Sequence, residues 1–228
     1  MMFITFEGIE GSGKSTQVGR LIPVLKARGY DCLSTREPGA TRIGGKIRAI
    51  LLDSDHDAIT PTTELLLYQA DRAQHISEVI RPALSTGKIV ISDRFFDATI
   101  VYQGYARGFD LKQIRILQAI VVGDLTPDLT VVLDLPVEQG LRRAWKRIES
   151  RKESQREDRF EKESEAFHRK VRQGYLRLAE MEPERFRVID ASADPDRVHQ
   201  VVTDVVLGSL DKWKRSREPI AHGHDANP

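Results

Sequence analysis

The chain has 228 residues, 40% of them hydrophobic and 30% charged, and 35 lysines and arginines against 34 acidic residues leave a formal net charge of +1. Length and composition of this kind suit one large α/β domain with a buried core. The balanced charge makes no polycation that would draw nucleic acid, and no apolar run reaches membrane-spanning length, so neither nucleic acid nor a membrane is an expected partner.

Met2 to Phe6 reads as a short apolar strand. The chain passes straight into it, which leaves no room for a signal peptide and makes the cytoplasm the expected location. Gly8-Ile9-Glu10-Gly11-Ser12-Gly13-Lys14-Ser15-Thr16 follows and fits the pattern G-x-x-x-x-G-K-[S/T]. From Ser15 to Arg28 the apolar residues Val18, Leu21, Ile22 and Leu25 recur at helical spacing. Strand, glycine-rich loop and helix together are the setting this motif requires. Glycines let successive N–H groups turn inward as an anion nest, and the helix N-terminus adds its dipole at the same place. Residues 8–16 are therefore the expected ATP-phosphate site, with Lys14 as the mobile cation and the Ser15 hydroxyl directed at Mg²⁺.

Tyr30 to Thr35 is the second predicted strand, ending at Arg36-Glu37-Pro38-Gly39. It holds Cys32, the one cysteine, which reads as a buried small hydrophobe; no disulfide framework exists and a reducing compartment is expected. Ile43 to Leu52 is a short helix. Thr60-Pro61 opens a longer one that reaches Leu84, running past Pro82 or kinked by it. Lys88 to Ser92 is a β-branched strand that delivers Asp93-Arg94. Leu111 to Val122 is helical, Leu129 to Leu135 a strand, and Val137 to Glu149 the start of a helix that becomes strongly basic. Glu163 to Met181 is helical, Phe186 to Ile189 is the last strand and Pro195 to Leu210 the last helix. The tail from Arg215 is polar, and a frayed terminus is expected for it, His222 and His224 included. Alternating strands and helices predict a parallel sheet with helices on both faces.

The phosphate loop does not by itself name the reaction. The chain has no D-x-x-G turn, and its one asparagine is Asn227, so the N-K-x-D signature that reads guanine is impossible. Two strands end in aspartate, and either could approach Mg²⁺. Asp93 is the stronger candidate because Arg94 follows it; Asp134, with Pro136 just after, reads as a helix cap. Arg36 and Arg94 fall at the carboxyl ends of strands, where open α/β sheets bind ligands. The segment Arg142–Arg159, rich in arginine and lysine, reads as a solvated helix face or as a cationic lid that excludes water from a transferred group; its position one helix beyond a strand favours the lid.

Those residues also carry a resemblance. The loop with Glu10, Thr35-Arg36-Glu37-Pro38-Gly39, Asp71-Arg72-Ala73, Asp93-Arg94-Phe95, Tyr102-Gln103-Gly104-Tyr105-Ala106-Arg107-Gly108, Pro127-Asp128-Leu129-Thr130 and Asp158-Arg159-Phe160-Glu161 stand in the order and spacing of the bacterial thymidylate kinases. The chain resembles that family from about Phe3 to about Leu210. The resemblance implies a three-layer P-loop kinase fold with a five-stranded parallel sheet in one domain over 1–212, a lid at about 142–160, and a disordered tail over 213–228. It implies Mg²⁺-dependent phosphoryl transfer from ATP to dTMP by a homodimer, with the Thr63–Leu84 helix at the interface. Another nucleoside or nucleotide kinase, or a silent nucleotide-binding regulator, is the alternative.

Residue roles follow from the resemblance. Arg36 and Arg94 hold the acceptor phosphate, with Glu37, Pro38 and Arg48 around it, and Glu10 sits near the sugar 3′-hydroxyl. Tyr68 stacks on the base, Arg72, Thr99 and Gln103 are its polar partners, and Tyr102 packs at the 2′ carbon. Lys14, Arg94 and lid arginines, Arg151, Arg156 and Arg159 with Arg147 as a further candidate, stabilise charge in transfer; Ser15 and Asp93 serve Mg²⁺. Arg72, aimed at O4, favours thymine over cytosine, while Thr99 and Gln103 complete the edge without deciding the choice; the alternative is a structural helix arginine paired with a nearby carboxylate such as Asp71 or Glu64. A cis Glu37–Pro38 peptide is implied as well. Tyr68, Ala98 and Phe95 depart from the family's usual residues.

Overall fold

The computed structural model describes residues 2–53, 58–150 and 157–216. In chain order it contains β1 (Phe3–Glu7), α1 (Lys14–Ala27), β2 (Cys32–Arg36), α2 (Arg42–Leu52), α3 (Pro61–His75), α4 (Arg81–Ser85), β3 (Ile89–Asp93), α5 (Phe96–Thr99), α6 (Leu111–Val122), β4 (Leu129–Asp134), α7 (Val137–Glu149), α8 (Glu165–Met181), β5 (Phe186–Asp190) and α9 (Pro195–Arg215). The five strands form one parallel sheet in the order β2-β3-β1-β4-β5, with helices on both faces. β1 lies at its centre, and all of its residues are buried, which is why that strand is a continuous apolar run rather than an alternation.

Register decides what the sheet presents. Phe6 of β1 and Arg36 of β2 both stand level with Asp93 of β3. Two further bonds, Arg94 N–H to Phe6 O (3.0 Å) and Glu37 N–H to Asp93 O (2.9 Å), carry the ladder past the strand ends. The phosphate loop, Asp93-Arg94 and Arg36-Glu37 therefore emerge side by side on one edge.

The helices refine the sequence expectation in three places. α3 continues through a π-helical stretch, Ile76–Ile80, into α4, so the helix runs past Pro82, which stands in the first turn of α4. The wider π turn sits where proline's missing N–H and its ring would otherwise disturb an α-helical ladder. A second π-helical stretch, Ile100–Ala106, follows α5 and carries Tyr102 and Gln103. α9 extends five residues beyond Leu210, with Val198, Val202, Val206 and Leu210 buried along one stripe; of the tail, 217–228 lies outside the described residues.

Asp97 of α5 ties this helix to the far edge of the sheet. Its carboxylate takes two bonds from the Arg185 guanidinium (2.7 and 3.0 Å), which also bonds Thr130 of β4 (2.7 Å) and lies 4.4 Å from the Phe186 ring centroid. Removing one member of a buried ion pair leaves the other charge uncompensated. Asp97→Ala should lower the unfolding free energy by about 3 kcal/mol, read as a fall in urea midpoint at unchanged m-value.

Candidate active site

The loop after β1 turns through left-handed glycines, with φ of 136° at Gly8, 70° at Gly11 and 97° at Gly13. At Gly8 a side chain would meet the Leu133 carbonyl oxygen at 2.6 Å. Gly13 caps α1 without a side-chain acceptor, so the first N–H groups of that helix remain open to a ligand. The Lys14 ammonium donates to the carbonyls of Gly8 (3.0 Å) and Ile9 (2.8 Å) and to Ser12 Oγ (3.3 Å). Burial, reinforced by the Arg94 charge, pushes its pKa down to about 8. Ser15 Oγ donates a short hydrogen bond to Asp93 Oδ2, so hydroxyl and carboxylate already share one spot.

Two glycines set the roof of the loop. A Cβ on Gly11 would lie 2.0 Å from the Gly140 carbonyl oxygen, and one on Gly140 would lie 2.6 Å from the Glu10 carbonyl oxygen. α7 thus docks backbone to backbone on the loop. Its next turns carry Arg143 and Arg147 over it; both line a cleft with Gly11, Ser12, Gly13, Thr16 and Gln17.

Beside that cleft is a second cavity, lined by Glu10, Lys14, Arg36, Pro38, Tyr68, Arg94, Thr99, Tyr102 and Gln103 among others, with Gly11 and Arg147 common to both. Arg94 is its centrepiece, the one non-glycine residue among those described with a left-handed backbone (φ 74°). Its guanidinium donates to Glu10 Oε1 (2.9 Å) and Tyr175 Oη (3.1 Å) and lies 4.9 Å from the Tyr102 ring centroid. Tyr102 donates to the same Glu10 oxygen (2.5 Å), and Tyr175 donates to Glu7 Oε2 (2.6 Å). Burial works to raise the Glu10 pKa, but the neighbouring His168 and the Arg94 and Lys14 charges outweigh it and hold this carboxyl well below the usual range. His168 Nδ1 stands 3.2 Å from Glu10 Oε2, yet outside hydrogen-bonding geometry.

The β2 turn is braced from α3. The Glu37–Pro38 peptide is cis, as the resemblance implies. Glu37 Oε1 pairs with His75 Nδ1 (2.9 Å), Glu37 Oε2 accepts from Arg72 Nε (2.8 Å), and Asp71 Oδ1 accepts from Gly39 N–H (3.0 Å). Arg36 is exposed at the cavity mouth and makes no hydrogen bond or ion pair with a described residue. Arg48 lines the wall, but its guanidinium is committed to both oxygens of Glu157 (2.7 Å each) and to the Pro38 carbonyl (2.9 Å).

Several expected contacts fall differently. Arg72 is only 1% exposed and is not on the cavity surface. It bonds Glu37, Thr99 Oγ1 (2.9 Å) and the Phe95 carbonyl (3.1 Å), so it is paired with a carboxylate as the structural alternative expects, Glu37 standing in place of Asp71 or Glu64. Tyr68, Thr99 and Gln103 do line the cavity. Arg159 is drawn away from it: its Nη2 lies 2.7 Å from Glu64 Oε2 and its Nε donates to the Leu51 carbonyl. A carboxylate buried to 1% exposure recruits cations, and Glu64 takes Arg107 as well. Asp134 caps no helix; its two oxygens bind Arg172 (2.6 and 2.8 Å) and Pro136 precedes α7 instead. Arg151 and Arg156 lie outside the described residues.

The sequence does not single out Arg143, His168, Tyr175 or Glu7. Arg143 was the most findable, one helical turn before Arg147; the others announce themselves only by three-dimensional proximity. The described geometry offers two anion sites with a common wall: the loop residues Gly11 to Gly13 with Arg143 on one side, and Lys14, Arg94 and Arg36 on the other. Such a site can bring two phosphate groups together under cationic cover.

Comparison with known proteins gives the family. The family model described as thymidylate kinase matches residues 6–202. The thymidylate kinase of Nitratidesulfovibrio vulgaris (Miyazaki F) is 55% identical over 209 residues, covering 92% of this chain and 97% of the relative. That of Geotalea uraniireducens is 54% identical over 208 residues, covering 91% and 97%. The crystal structure of thymidylate kinase from Ehrlichia chaffeensis superposes with a TM-score of 0.71 at 34% identity, covering 90% of this chain and 98% of that one.

The glycine dock makes a direct test. In Gly140→Ala the new methyl would meet the Glu10 carbonyl oxygen at 2.6 Å, a backbone atom that cannot swing aside. α7 must shift, carrying Arg143 and Arg147 off the loop. ATP turnover should fall by about tenfold or more, while circular dichroism stays that of the folded protein.

Proposed function

Because the chain belongs to the thymidylate kinase family, we propose that its two clefts hold the two substrates of that reaction with their phosphates facing across the wall shared by Gly11 and Arg147. The protein is an ATP-dependent nucleoside monophosphate kinase that phosphorylates dTMP to dTDP. The shared wall carries this assignment, since Gly11 and Arg147 border both clefts.

In this assignment the amides of residues 8–16 and Lys14 bind the ATP phosphates, and Lys14 exchanges its loop carbonyls for phosphate oxygens as they enter. Arg36 and Arg94 take the dTMP phosphate; a guanidinium matches two phosphate oxygens at once. Two of the five Arg94 donors are used by Glu10 and Tyr175, which orients the fork and leaves the rest for the ligand. Glu37, Pro38 and Arg48 shape this end, Glu10 and Tyr102 border the sugar, and the Tyr68 ring offers a face to the base. An oxygen of the dTMP phosphate attacks the γ-phosphorus while the bond to the β,γ-bridging oxygen breaks, and ADP leaves. The attacking oxygen is already anionic at neutral pH, so no general base is required. The work of the protein is to align the groups and spread the charge over Lys14, Arg94 and Arg147. Arg151 and Arg156 retain their expected lid role; Arg159 serves it by holding residues 157–161 against Glu64.

Ser15 Oγ and Asp93, already in contact, fit Mg²⁺, which favours a few hard oxygen ligands and keeps its remaining positions for phosphate and water. When bound there it would neutralise charge on the ATP phosphates.

A homodimer is the proposed assembly. Leu66 on α3 is 50% exposed, and Ile116 and Ile120 on α6 are 63% and 76% exposed; α3 and α6 pack together, so these side chains are available to one apolar surface. Among the described residues no helix is long and apolar enough to cross a membrane, and the cytoplasm remains the proposed location. Sedimentation should show a dimer that Ile116→Lys with Ile120→Lys converts to monomer; a monomeric wild type overturns it.

Lys14→Ala should fold normally and lose about 10²-fold or more in kcat/KM for ADP release with dTMP. In wild type the acceptor order should be dTMP, then dUMP, with dCMP and purine monophosphates far behind. Near-normal turnover by the variant would remove ATP from this loop.

A further inference from the structure

The base-facing wall of the cavity contains two side chains whose hydrogen-bonding sense is ambiguous in isolation. Thr99 and Gln103 can each donate and accept. In the structure neither is left to choose. Gln103 Nε2 donates to Glu64 Oε1 (2.9 Å). Glu64 is 1% exposed and also receives Arg107 Nε (3.2 Å) and Nη2 (3.1 Å), with Arg159 Nη2 2.7 Å away. Burial raises its pKa, yet the bonds from Arg107 and Gln103 outweigh that and keep it lowered. An ionised carboxylate only accepts, so the Gln103 amide must turn its NH₂ inward. Its Oε1 is the end left for the cavity that Gln103 lines, and no described donor occupies it. Arg72 acts on Thr99 in the opposite sense. A guanidinium only donates, and Nη1 gives its proton to Thr99 Oγ1 at 2.9 Å. The Thr99 hydroxyl hydrogen is thereby left for the cavity, which Thr99 also lines.

We propose that Glu64 is a specificity-determining positioning residue: with Arg72 it sets the cavity wall as one donor (Thr99 O–H) beside one acceptor (Gln103 Oε1). That pattern matches a pyrimidine edge carrying a carbonyl oxygen and an adjacent ring N–H, as in thymine and uracil. Against cytosine it faces an amino donor with a donor and an unprotonated ring nitrogen with an acceptor. Discrimination then rests on leaving buried polar groups unpaired, a stronger sieve than shape alone. The inference rests on the assignment of this cavity to dTMP.

Glu64→Gln keeps the shape but lets position 64 donate or accept, freeing the Gln103 amide to flip. The kcat/KM ratio of dTMP to dCMP should fall by about tenfold or more, while the ratio of dTMP to dUMP, which share this edge, stays constant. Glu64→Asp, still acceptor-only, should keep most of the dTMP/dCMP ratio. An equal loss for all three acceptors in Glu64→Gln would reduce Glu64 to a structural anchor for Arg107 and Arg159 and overturn the proposal. Should that variant not fold, Gln103→Leu carries the same test: an unchanged dTMP/dCMP ratio overturns the proposal, and a collapsed one supports it. A wild type that does not prefer dTMP to dCMP would instead remove the assignment of the cavity, and the inference with it.

Discussion

A site that receives two polyanions must hold positive charge out of water before they arrive, and an unpaired buried cation is costly. Much of the chemistry described above answers that constraint. Arg94 is held by Glu10, with Tyr102 and Tyr175 at its flanks, and Arg72 is held by Glu37. Arg107 and Arg159 share Glu64, and Arg48 is held by Glu157. Arg36, exposed at the mouth, is open to solvent and needs no counter-ion. Glu10 is therefore part of the anion site, because it aims Arg94, while Glu37, Glu64 and Glu157 hold their arginines in the framework around the cavity. Burial raises Glu7 to about 7, and burial together with the nearby Glu10 charge raises Glu161 to about 7.

Positions that must not drift are set by backbone. Parallel register puts Phe6, Arg36 and Asp93 at one level, and the carbonyls of those strands receive the first N–H groups of the loops beyond them. The Gly11–Gly140 approach fixes α7 on the phosphate loop without any side chain between them. A contact that close transmits displacement directly, so the arginines of α7 and the loop amides move as one body.

The same economy extends to the base wall. One helical segment, from α3, supplies Glu64, Arg72 and His75, and all three act through neighbours: on Gln103, on Thr99 and on Glu37. The π-helical stretch after α5 supplies Tyr102 and Gln103. Such stretches are uncommon in helices and frequent at functional sites, because the widened turn re-aims side chains.

Local chemistry in the sequence was enough for the sheet, the loop and the positions of Arg36 and Arg94 at strand ends. Gly8, Gly13 and Lys14 prescribe their own conformation and ligand; apolar strands announce themselves by composition; and Asp93-Arg94 and Arg36 are placed by ending such strands. What the sequence could not decide was which partner each charge would take. Arg72 and Arg159 read as ligands for substrate, yet Glu37 and Glu64, 35 and 95 residues away in the chain, claim them first. Asp134 read as a cap, and Arg172, 38 residues on, took it. Ion pairing is long-ranged in sequence and short-ranged in space, so only tertiary structure chooses among many available carboxylates. The donor or acceptor sense of Thr99 and Gln103 was undecidable for the same reason: an amide or a hydroxyl acquires its direction from the charged group behind it, and that group arrives only when α3 packs against the acceptor helix.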